Sequence, residues 1–304
     1  MNSLAPIALF VYNRIVHTKQ TIQALQNNYL AKDSELFIFS DGWKDQSLNE
    51  KVLELREYLS TIDCFKKISI IKRQENFGLA KSIISGVTQI VNDYGKIIVV
   101  EDDLVTSPYF LEYMNEGLDK YQNDEKVISI HGYVYPIKEN LPETFFIKGA
   151  DCWGWATWKR GWDSFEHDGQ KLLNELRTKK LTKKFDFDGT YPYTKMLEDQ
   201  ISKKNNSWAI RWYASAFLKD KLTLYPKKSL VNNIGLDNSG THCGYNDNLN
   251  SDLFLSKINI TEIKIEENLK AKKLFKKFFM PRKNLFYRGN KIFKKLLKFS
   301  NFDK

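Results

Sequence analysis

The chain has 304 residues, of which 42% are hydrophobic and 28% charged, and its formal net charge is +10. Residues 270–304 hold 13 Lys and Arg against one acid, whereas the 269 residues before them hold 34 basic and 36 acidic groups. The body is therefore nearly neutral, which argues against a nucleic-acid-binding body and means that the basic tail needs its own explanation.

The first hundred residues alternate continuous apolar runs with amphipathic segments. Continuous apolar runs are typical of strands buried on both faces of a parallel sheet, and apolar residues at helical intervals predict the helices between them. The strands are predicted at 5–13, 34–45, 66–78 and 96–103, and the helices at 14–28, 50–62 and 79–95. This strict β–α alternation predicts a parallel, Rossmann-like sheet with helices on both faces.

Every predicted strand of this half ends in polar residues. The polar ends are Asn13-Arg14, Asp41-Gly42, Glu75-Asn76 and Glu101-Asp102-Asp103. Because ligands of such sheets gather at the carboxyl ends of the strands, we expect these residues to line one site.

The triplet Glu101-Asp102-Asp103 directly follows the apolar run KIIVV. Adjacent carboxylates repel one another, but a bound cation makes the grouping favourable. Mg²⁺ and Mn²⁺ prefer such hard oxygen ligands and leave positions open for phosphate oxygens and water. The triplet therefore predicts a divalent-cation site shared with a diphosphate; the simpler alternative is a solvated acidic turn.

The second half is predicted to be more mixed. Its strands are predicted at 126–137 and 143–158, followed by a helix at 206–220, a strand pair or a strand and loop at 221–235, and a polar loop at 236–246. Six of the seven Trp residues lie in this half: Trp153, Trp155, Trp158, Trp162, Trp208 and Trp212. With no internal repeat and no Ser/Gly-rich linker, both halves are expected to form one unit.

The tail repeats one scheme twice. In the segment 271–280, Leu274, Phe275, Phe278 and Phe279 fall on one helical face with lysines opposite, and in the segment 290–299, Ile292, Phe293, Leu296 and Leu297 do the same. Pro281 separates the two segments. Basic polar faces with bulky apolar ones predict helices that lie in an anionic membrane interface.

Seven segments occur in an order that resembles a known family. They are FVYNR, FSDG, ENFGLAKSI, VVEDDLVTSPYFLEY, WGWATWKRGW, SWAIRWYASAFL and NIGLDNSGTHC. Together they resemble a bacterial nucleotide-sugar glycosyltransferase of the GT-A fold, similar to N-acetylglucosaminyltransferase I and its relatives. The resemblance covers roughly residues 5–245. It implies an α/β fold whose Rossmann-like, mixed and mostly parallel sheet is flanked by helices, and it leaves the basic amphipathic helical tail uncovered.

The resemblance implies donor-binding roles for the strand ends of the first half. Arg14 matches a nucleotide-contacting arginine, and Asp41 matches the aspartate that hydrogen-bonds the uracil edge. The loop and helix start beside the donor phosphates and sugar correspond to Asn76, Gly78 and Lys81. Without the resemblance, Arg14 could be a solvated first-turn residue, and Asp41 and Asn76 could simply form turns.

The acid triplet and one histidine receive separate roles from the resemblance. Asp103 would bind the metal directly, Asp102 would contact the ribose or donor sugar, and Glu101 would belong to the donor site by positioning its neighbours. His242 matches a C-terminal histidine that contacts metal or diphosphate, with a purely structural histidine as the alternative.

The segment CWGWATW is expected to line the cleft between donor and acceptor. Trp153 and Trp155 flank Gly154, so in a strand both rings would point the same way. Broad rings can stack on the apolar face of a sugar, and the missing glycine side chain leaves room for the ligand. The alternative is an aromatic core cluster, which is equally plausible for Trp158 and Trp162.

An inverting transfer needs a general base that takes the proton of the acceptor hydroxyl. The segment MLEDQI offers Asp199 as the first choice and Glu198 as the second. Asp237, later in the chain, is the third choice. The eukaryotic relatives carry an acidic pair beside a tryptophan, but the comparable NNSWAIRW has no acid. Arg211 would orient the base or bind the diphosphate; a buried structural ion pair is the alternative.

The resemblance therefore implies a metal-dependent, inverting hexosyl- or N-acetylhexosaminyltransferase. It would use Mn²⁺ or Mg²⁺ and move a sugar from a nucleoside-diphosphate sugar, expected to be a UDP-sugar, to a glycan or lipid-linked acceptor in cell-surface polysaccharide synthesis. Residues 1–250 would form the GT-A domain, with a donor half at 1–105 and an acceptor half at 106–250, and residues 251–304 would form the tail. A sugar nucleotidyltransferase and a non-catalytic membrane-associated scaffold stay open, as does nucleic-acid binding through the tail alone.

The sequence also predicts where the protein works. Cys64, Cys152 and Cys243 lack close spacing, which argues against disulfides or a thiolate zinc site and fits a reducing cytosol. The N-terminal segment lacks a basic leader and a cleavage site, and no apolar stretch approaches the roughly 20 residues of a membrane-spanning helix. We therefore expect a cytoplasmic protein whose tail attaches it to the anionic inner face of the cell membrane.

Overall fold

The computed structural model describes residues 3–237 and 247–280. The described strands are β1 (Ile7–Val11), β2 (Glu35–Ser40), β3 (Lys67–Lys72), β4 (Lys96–Glu101), β5 (Leu104–Thr106), β6 (Val127–His131), β7 (Thr144–Lys148), β8 (Trp155–Trp158), β9 (Leu222–Pro226) and β10 (Val231–Asn233). The described α-helices are α1 (Ile15–Gln26), α2 (Asn49–Leu59), α3 (Gly78–Tyr94), α4 (Phe110–Lys120), α5 (Lys159–Trp162), α6 (Gly169–Thr178), α7 (Thr182–Phe185), α8 (Tyr193–Ile201), α9 (Ala209–Leu218) and α10 (Leu269–Phe279).

Within the described ranges, eight strands form one mixed sheet in the order β3-β2-β1-β4-β8-β6-β9-β7. The first four are mutually parallel, and β9 runs parallel to β6. β8 is antiparallel to both of its neighbours, and β7 is antiparallel to β9. β5 and β10 form a separate antiparallel pair. This sheet confirms the predicted α/β class, mostly parallel and mixed.

The apolar run of β4 is explained by burial on both faces of the sheet. Ile98 and Val100 belong to one hydrophobic core and Ile97 and Val99 to the other, and all four are fully buried. Burying each such side chain is worth about 1.5–3 kcal/mol relative to leaving it exposed. Because neither face meets water, the strand has no polar alternation.

The topology brings the ends of many strands to one edge. The carboxyl ends of β1, β2, β3, β4, β6 and β9 lie there together with the amino ends of the antiparallel β7 and β8. We call this edge the carboxyl edge. All four polar strand ends predicted from the first half therefore lie at this edge, and the loops that precede β8 and follow β6 join them.

The segment 143–158, predicted as a single strand, is two strands. β7 ends at Lys148 on the opposite edge of the sheet, whereas β8 begins at Trp155 on the carboxyl edge. Both strands run in the same direction, so residues 149–154 must return across one face of the sheet. Gly154 has φ 64°, a left-handed backbone conformation that favours glycine, and it leads the chain into β8.

Helix α10 packs against the body of the protein. Phe275 is 1% exposed, and its ring centroid lies 5.6 Å from that of Tyr225. The ring centroid of Tyr135 lies 4.8 Å from that of Phe279 and 5.2 Å from that of Phe278. The apolar face that the sequence suggested would lie in a membrane is instead covered by aromatic rings of the body.

Salt bridges fix the polar side of the same helix. Three lysines of α10 pair with acids of the body and of the preceding segment: Lys272 with Glu267, Lys276 with Asp188, and Lys277 with Glu139. The second amphipathic segment, 290–299, lies outside the described residues. In the described part of the chain, no helix combines the length and the apolar character that crossing a membrane requires.

Candidate active site

The end of β4 carries the acid triplet, and the residue before α1 supplies its counterion. Arg14 Nη2 donates to Asp103 Oδ2 at 2.7 Å and also to Asp102 Oδ1, while Arg14 Nε donates to Asp102 Oδ2 at 3.3 Å. Burial alone would lower the pKa of Arg14, but the attraction of Asp102 and Asp103 outweighs it and the pKa is raised. Arg14 is therefore a permanent cation between the two carboxylates.

The acids beside this cation take up protons more readily than usual. Burial raises the pKa of Asp102 to about 6, with Arg14 opposing the rise and Asp103 adding to it. Burial also raises the pKa of Glu101 to about 8, and the charges of Asp103 and Asp102 reinforce the effect. Carboxylates whose pKa is raised because they are desolvated and crowded are groups that a further cation would stabilise in the charged form.

Asp103 fits a metal ligand better than its neighbours do. Its side chain is 15% exposed, and its Oδ1 receives no hydrogen bond within the described ranges, since Arg14 meets Oδ2. Gly235 lies against the same carboxylate, where an added β-carbon would stand 2.2 Å from Asp103 Oδ2. A hard, accessible oxygen of this kind suits Mn²⁺ or Mg²⁺, which keep further positions for water and phosphate oxygens.

The protein supplies few further ligands in the region that can be described. Within residues 3–237 and 247–280, no group of three or more His, Cys, Asp or Glu could hold a metal ion. His242, which the resemblance connects with the metal, lies outside these ranges. The metal site therefore stays a prediction that depends on Asp103.

Asp41 connects the end of β2 to the beginning of α3. Its Oδ1 accepts hydrogen bonds from the backbone N–H of Gly42 at 3.1 Å and of Phe77 at 2.8 Å. Its Oδ2 accepts from the N–H of Gly78 at 2.9 Å and from Asn76 Nδ2 at 3.2 Å. These four bonds occupy the carboxylate, so in this structure Asp41 holds the loop that leads into α3. The contact to a uracil edge stays a prediction.

The other predicted donor residues of this loop surround the same connection. Asn76 Nδ2 also donates to the carbonyl of Gly42 at 2.7 Å, which closes the β2 and β3 loops on each other. Lys81 is exposed, and its Nζ lies 3.9 Å from the centroid of the Phe77 ring. Because Asp41 already bonds the N–H groups of Phe77 and Gly78, a phosphate there would meet Lys81 beside a helix terminus that is partly occupied.

Two residues at the carboxyl edge were not singled out together by the sequence. His17 Nε2 and Asp237 Oδ2 lie 3.1 Å apart, which ties the first turn of α1 to the segment after β10. The N–H of Ile234 donates to the carbonyl of Asp103 at 2.8 Å, so this segment runs beside the metal candidate. The spacing of Arg14 and His17, three residues apart at a helix start, could have placed His17 beside Arg14, but no local signal indicated its contact with Asp237.

The two tryptophans expected to share a cleft lie on opposite sides of the sheet. Trp155 is fully buried, and its ring lies among Trp162, Trp208 and Trp212, with centroids 5.4–5.8 Å away. Trp153 is partly exposed and its ring lies 4.7 Å from that of Tyr133. The left-handed backbone of Gly154 interrupts the strand alternation, so Trp155 is a core residue and Trp153 alone is available to a ligand.

The two acids proposed as general base lie on α8, which packs against α6, α7 and α9. Asp199 forms ion pairs with Lys195 and with Lys204, and the hydrogen bond from Lys195 is the main cause that lowers its pKa. Glu198 Oε1 lies 2.9 Å from Arg177 Nη2. Since a general base works best with a pKa near the working pH, the lowered pKa makes Asp199 a poor base in this arrangement. Glu198 has one carboxylate oxygen occupied by Arg177.

Arg211 is a buried residue that organises backbone. Its Nε donates to the carbonyl of Ser207 at 3.3 Å and its Nη1 to the carbonyl of His167 at 3.1 Å. Burial lowers its pKa. Its described hydrogen bonds go to backbone carbonyls, so the structure offers no support for a bond between Arg211 and the proposed base.

Solved structures that this chain resembles include two distant matches. A mannosyltransferase from Pyrobaculum calidifontis, PcManGT, solved with GDP-Man and Mn²⁺, is 12% identical over 43% of this chain and 36% of its own, with a TM-score of 0.32. A crystal structure of S. aureus TarS is 15% identical over 46% of this chain and 41% of its own, with a TM-score of 0.33. The chain thus spans under half the length of either protein.

A search of the curated proteins finds no match to this chain. The family comparison does: the profile of Glycosyl transferase family 2 matches residues 7–191, which is more than half of the chain. The matched range runs from β1 through the acid triplet and β8 to the residues before α8. The chain belongs to Glycosyl transferase family 2.

Proposed function

We propose that this protein is a metal-dependent, inverting glycosyltransferase that takes its sugar from a nucleoside-diphosphate sugar, with a UDP-sugar as the expected donor. The observation that carries the proposal is the arrangement of Arg14 with Asp102 and Asp103 at the carboxyl end of β4. Family membership supports the reaction class. The acceptor would be a glycan or a lipid-linked glycan.

The proposed donor site uses the charges at this edge. A bound Mn²⁺ or Mg²⁺ would neutralise the leaving diphosphate. Asp103 would hold that ion through its accessible oxygen, and Asp102 would accept hydrogen bonds from the ribose or the donor sugar. Arg14 would turn part of its hydrogen-bonding capacity from the carboxylates to the diphosphate, for which its planar guanidinium is well suited.

For the general base, we propose Asp237 in preference to Asp199 and Glu198. Asp237 follows the segment that runs beside Asp103, and His17 contacts its carboxylate. Its side chain is 49% exposed, which leaves it open to an incoming acceptor hydroxyl. Asp237→Asn should lower kcat at least a hundredfold, whereas Asp199→Asn should change it less than threefold. A hundredfold loss in Asp199→Asn with little change in Asp237→Asn would instead identify Asp199 on α8 as the general base.

The donor half of the proposal is tested by binding and by hydrolysis. UDP, GDP and CMP are titrated with Mn²⁺ into the wild type, Asp103→Asn and the control Asp119→Asn, whose carboxylate pairs with Lys96 far from the acid triplet in the fold. UDP with Mn²⁺ should bind the wild type and the control equally, and Asp103→Asn at least tenfold more weakly. The corresponding UDP-, GDP- and CMP-sugars are then screened for hydrolysis.

Different outcomes of this screen favour different functions. Absence of nucleotide binding in the wild type would contradict the enzyme and favour a scaffold that retains the fold. Pyrophosphate release from a nucleoside triphosphate would instead identify a sugar nucleotidyltransferase. Equal nucleotide affinity of Asp103→Asn and the wild type would contradict the proposal that Asp103 binds the metal.

We also propose that the enzyme works at the inner face of the cell membrane. The support is the net charge of +12 on residues 270–304 and the exposure of Lys270, Lys273 and Lys277 on α10. Because the apolar face of α10 packs against the body, attraction of lysines to anionic lipid, rather than insertion of this helix, would provide the attachment.

A further inference from the structure

A carboxylate lies in the segment that crosses the sheet between β7 and β8. Asp151 Oδ1 accepts a hydrogen bond from the backbone N–H of Cys152 at 2.9 Å, and its Oδ2 accepts one from the hydroxyl of Tyr225 at 3.3 Å. Tyr225 is in β9, two strands away from β8 in the sheet. The side chain is thus held in place over the second half of the sheet, close to the carboxyl edge.

Among the described residues, Asp151 has no cationic partner, unlike most of the partly buried acids there. No Lys, Arg or His forms a salt bridge with it in the portion of the chain that the structure describes, whereas Asp102, Asp103 and Glu143 are each paired. Asp151 is only partly exposed. A carboxylate can accept about four hydrogen bonds, and the two bonds to Cys152 and Tyr225 leave capacity for a ligand.

Tyrosines surround this carboxylate. Burial raises the pKa of the Tyr193 hydroxyl, and the negative charge of Asp151 raises it further; the same two causes act on Tyr133, Tyr135, Tyr213 and Tyr225. Ring contacts join Tyr133 to Tyr135 and Tyr193 to Tyr213, with centroids 5.4 Å and 4.4 Å apart. Because their pKa values are raised, these hydroxyls stay protonated and can donate hydrogen bonds at neutral pH.

The rim of this group consists of partly exposed rings. Tyr135, Trp153, Tyr191 and Tyr193 each keep part of their surface in solvent. The ring centroids of Tyr191 and Tyr193 lie 4.5 Å apart. The ring centroid of Tyr133 lies 5.4 Å from that of Tyr135 and 4.7 Å from that of Trp153. Partly exposed rings near a hydrogen-bonding carboxylate form a surface suited to a ligand that has both apolar faces and hydroxyl groups.

His131 connects this surface to the carboxyl edge. Its ring is fully buried, lies 5.0 Å from the ring of Tyr225 and accepts a hydrogen bond at Nε2 from the N–H of Trp153 at 3.1 Å. Trp153 precedes β8, whose first residue is paired with Val99 of β4, two residues before the acid triplet. The aromatic surface therefore adjoins the proposed donor site.

We propose that Asp151 and the rim of Tyr135, Trp153, Tyr191 and Tyr193 bind an uncharged sugar ring of the acceptor. The inference rests on the proposed transferase function only in calling the sugar an acceptor. Binding of a sugar ring at this site does not depend on that function. Asp151 would accept hydrogen bonds from sugar hydroxyls, and the rings would pack against the C–H face of the sugar. The unpaired negative charge would repel uronic acids and phosphorylated sugars.

Direct binding of simple glycosides tests the sugar site without any donor. Saturation-transfer NMR is recorded on the full chain with the methyl glycosides of glucose, galactose, mannose and N-acetylglucosamine, and with methyl glucuronide as the charged comparison. We expect at least one neutral glycoside to bind and the glucuronide to bind at least tenfold more weakly. Asp151→Asn and Tyr191→Ala should each weaken the neutral glycoside at least fivefold.

Asp163→Asn, which removes an exposed carboxylate paired with Lys159 on α5, serves as the matched control and should bind like the wild type. Circular dichroism of each variant verifies that it is folded, and Tyr191→Ala keeps the test valid if Asp151→Asn does not fold. Failure of all four neutral glycosides to bind, a preference for the glucuronide, or wild-type binding by both variants would overturn the proposal.

Nucleotide binding measured on the same samples separates the two proposals. Asp151→Asn should bind UDP and Mn²⁺ with the affinity of the wild type, because its carboxylate is not part of the acid triplet. Glycoside binding without any nucleotide binding in the wild type would contradict the transferase function and still support the sugar site. Loss of nucleotide affinity in Asp151→Asn would overturn the separate sugar site.

Discussion

Arg14 is the residue that balances the charge at the carboxyl edge. It bonds both Asp102 and Asp103, and its own side chain is 20% exposed. Removing one partner of a largely buried ion pair leaves the other charge uncompensated, which costs more than the pair itself contributes. Arg14 therefore stabilises the fold in the absence of metal, in addition to any role with the donor.

We predict that Arg14→Met lowers the free energy of unfolding by about 1–3 kcal/mol without metal and that Mn²⁺ restores most of the loss. Thermal unfolding with and without Mn²⁺ measures both effects. Lys96→Met, which breaks the more exposed pair with Asp119, is the control and should lose less than about 1 kcal/mol with no rescue by Mn²⁺. Equal losses in the two variants would contradict the role of Arg14.

Gly235 leaves space for the carboxylate of Asp103. A β-carbon at this position would approach Asp103 Oδ2 to 2.2 Å, and the flexible carboxylate would have to turn away. We predict that Gly235→Ala weakens UDP–Mn²⁺ binding roughly tenfold, equivalent to about 1.4 kcal/mol, while the unfolding temperature changes little. Calorimetric titration measures the affinity.

A double-mutant cycle is the control for this prediction. If Gly235→Ala acts only through Asp103, it should cause no further loss of affinity when Asp103→Asn is already present. Additive losses would mean that Gly235 contacts the nucleotide itself.

For single residues, the sequence predicted where in the fold they lie better than which groups they contact. Asp41, Asn76 and the acid triplet lie at the carboxyl edge as the strand ends indicated. The sequence could not show that Asp41 bonds the start of α3, because any Asp-Gly pair can form a turn. Nor did it single out Asp151, because the importance of that residue depends on tyrosines up to 74 positions away along the chain.

The elements differ in how strongly their local pattern determines them. The β–α units of the first half have buried strands and amphipathic helices of ordinary length, so the pattern was sufficient. The segment 143–158 misled the prediction, because an apolar run shows neither that the strand breaks after Lys148 nor that the chain crosses the sheet before Trp155.

Helix α10 shows a second limit of sequence patterns. A basic helix with one aromatic face has the same sequence whether that face meets lipid or protein. Here Phe275 inserts among Phe145, Phe187 and Tyr225, and the surrounding lysines pair with acids of the body and the preceding segment. The helix is thus part of the hydrophobic core of the second half.

We predict that Phe275→Ala destabilises the protein by about 3–5 kcal/mol, as expected for emptying a fully buried aromatic site. Leu269→Ala at the start of the same helix, where the side chain is 74% exposed, should change stability by less than about 0.5 kcal/mol. Urea denaturation measures both. A small effect of Phe275→Ala would show that α10 is detached from the body in solution. It would then favour the hypothesis that the apolar face of α10 binds the membrane.

On the scale of the whole molecule, the excess positive charge is separated along the chain from the candidate active site. The body is nearly neutral, while the end of the chain carries the excess of basic residues. Attraction of such a segment to anionic lipid is worth about 1 kcal/mol for each Lys or Arg near the surface and is screened by salt. The proposed membrane attachment could therefore be weakened without disturbing the proposed donor site.

We predict that deleting residues 281–304, which leaves α10 in place, reduces binding to phosphatidylglycerol vesicles at least tenfold and does not change UDP–Mn²⁺ affinity. Vesicle sedimentation at low and high salt measures the binding, and phosphatidylcholine vesicles are the control. Unchanged binding of the shortened chain to anionic vesicles would place the attachment elsewhere, and binding to duplex DNA with no lipid preference would favour nucleic acid as the partner.

The position of β8 in the sheet has a consequence for how the protein is made. β4 pairs with β1 on one side and with β8 on the other, although β8 follows it by more than fifty residues along the chain. During synthesis, β4 therefore remains an open strand edge until Trp155–Trp158 leave the ribosome. An apolar, unpaired edge is a site where nascent chains associate with one another. The first half of the chain is consequently most prone to association before β8 covers β4, and a stop or pause in translation between the two strands should yield insoluble protein.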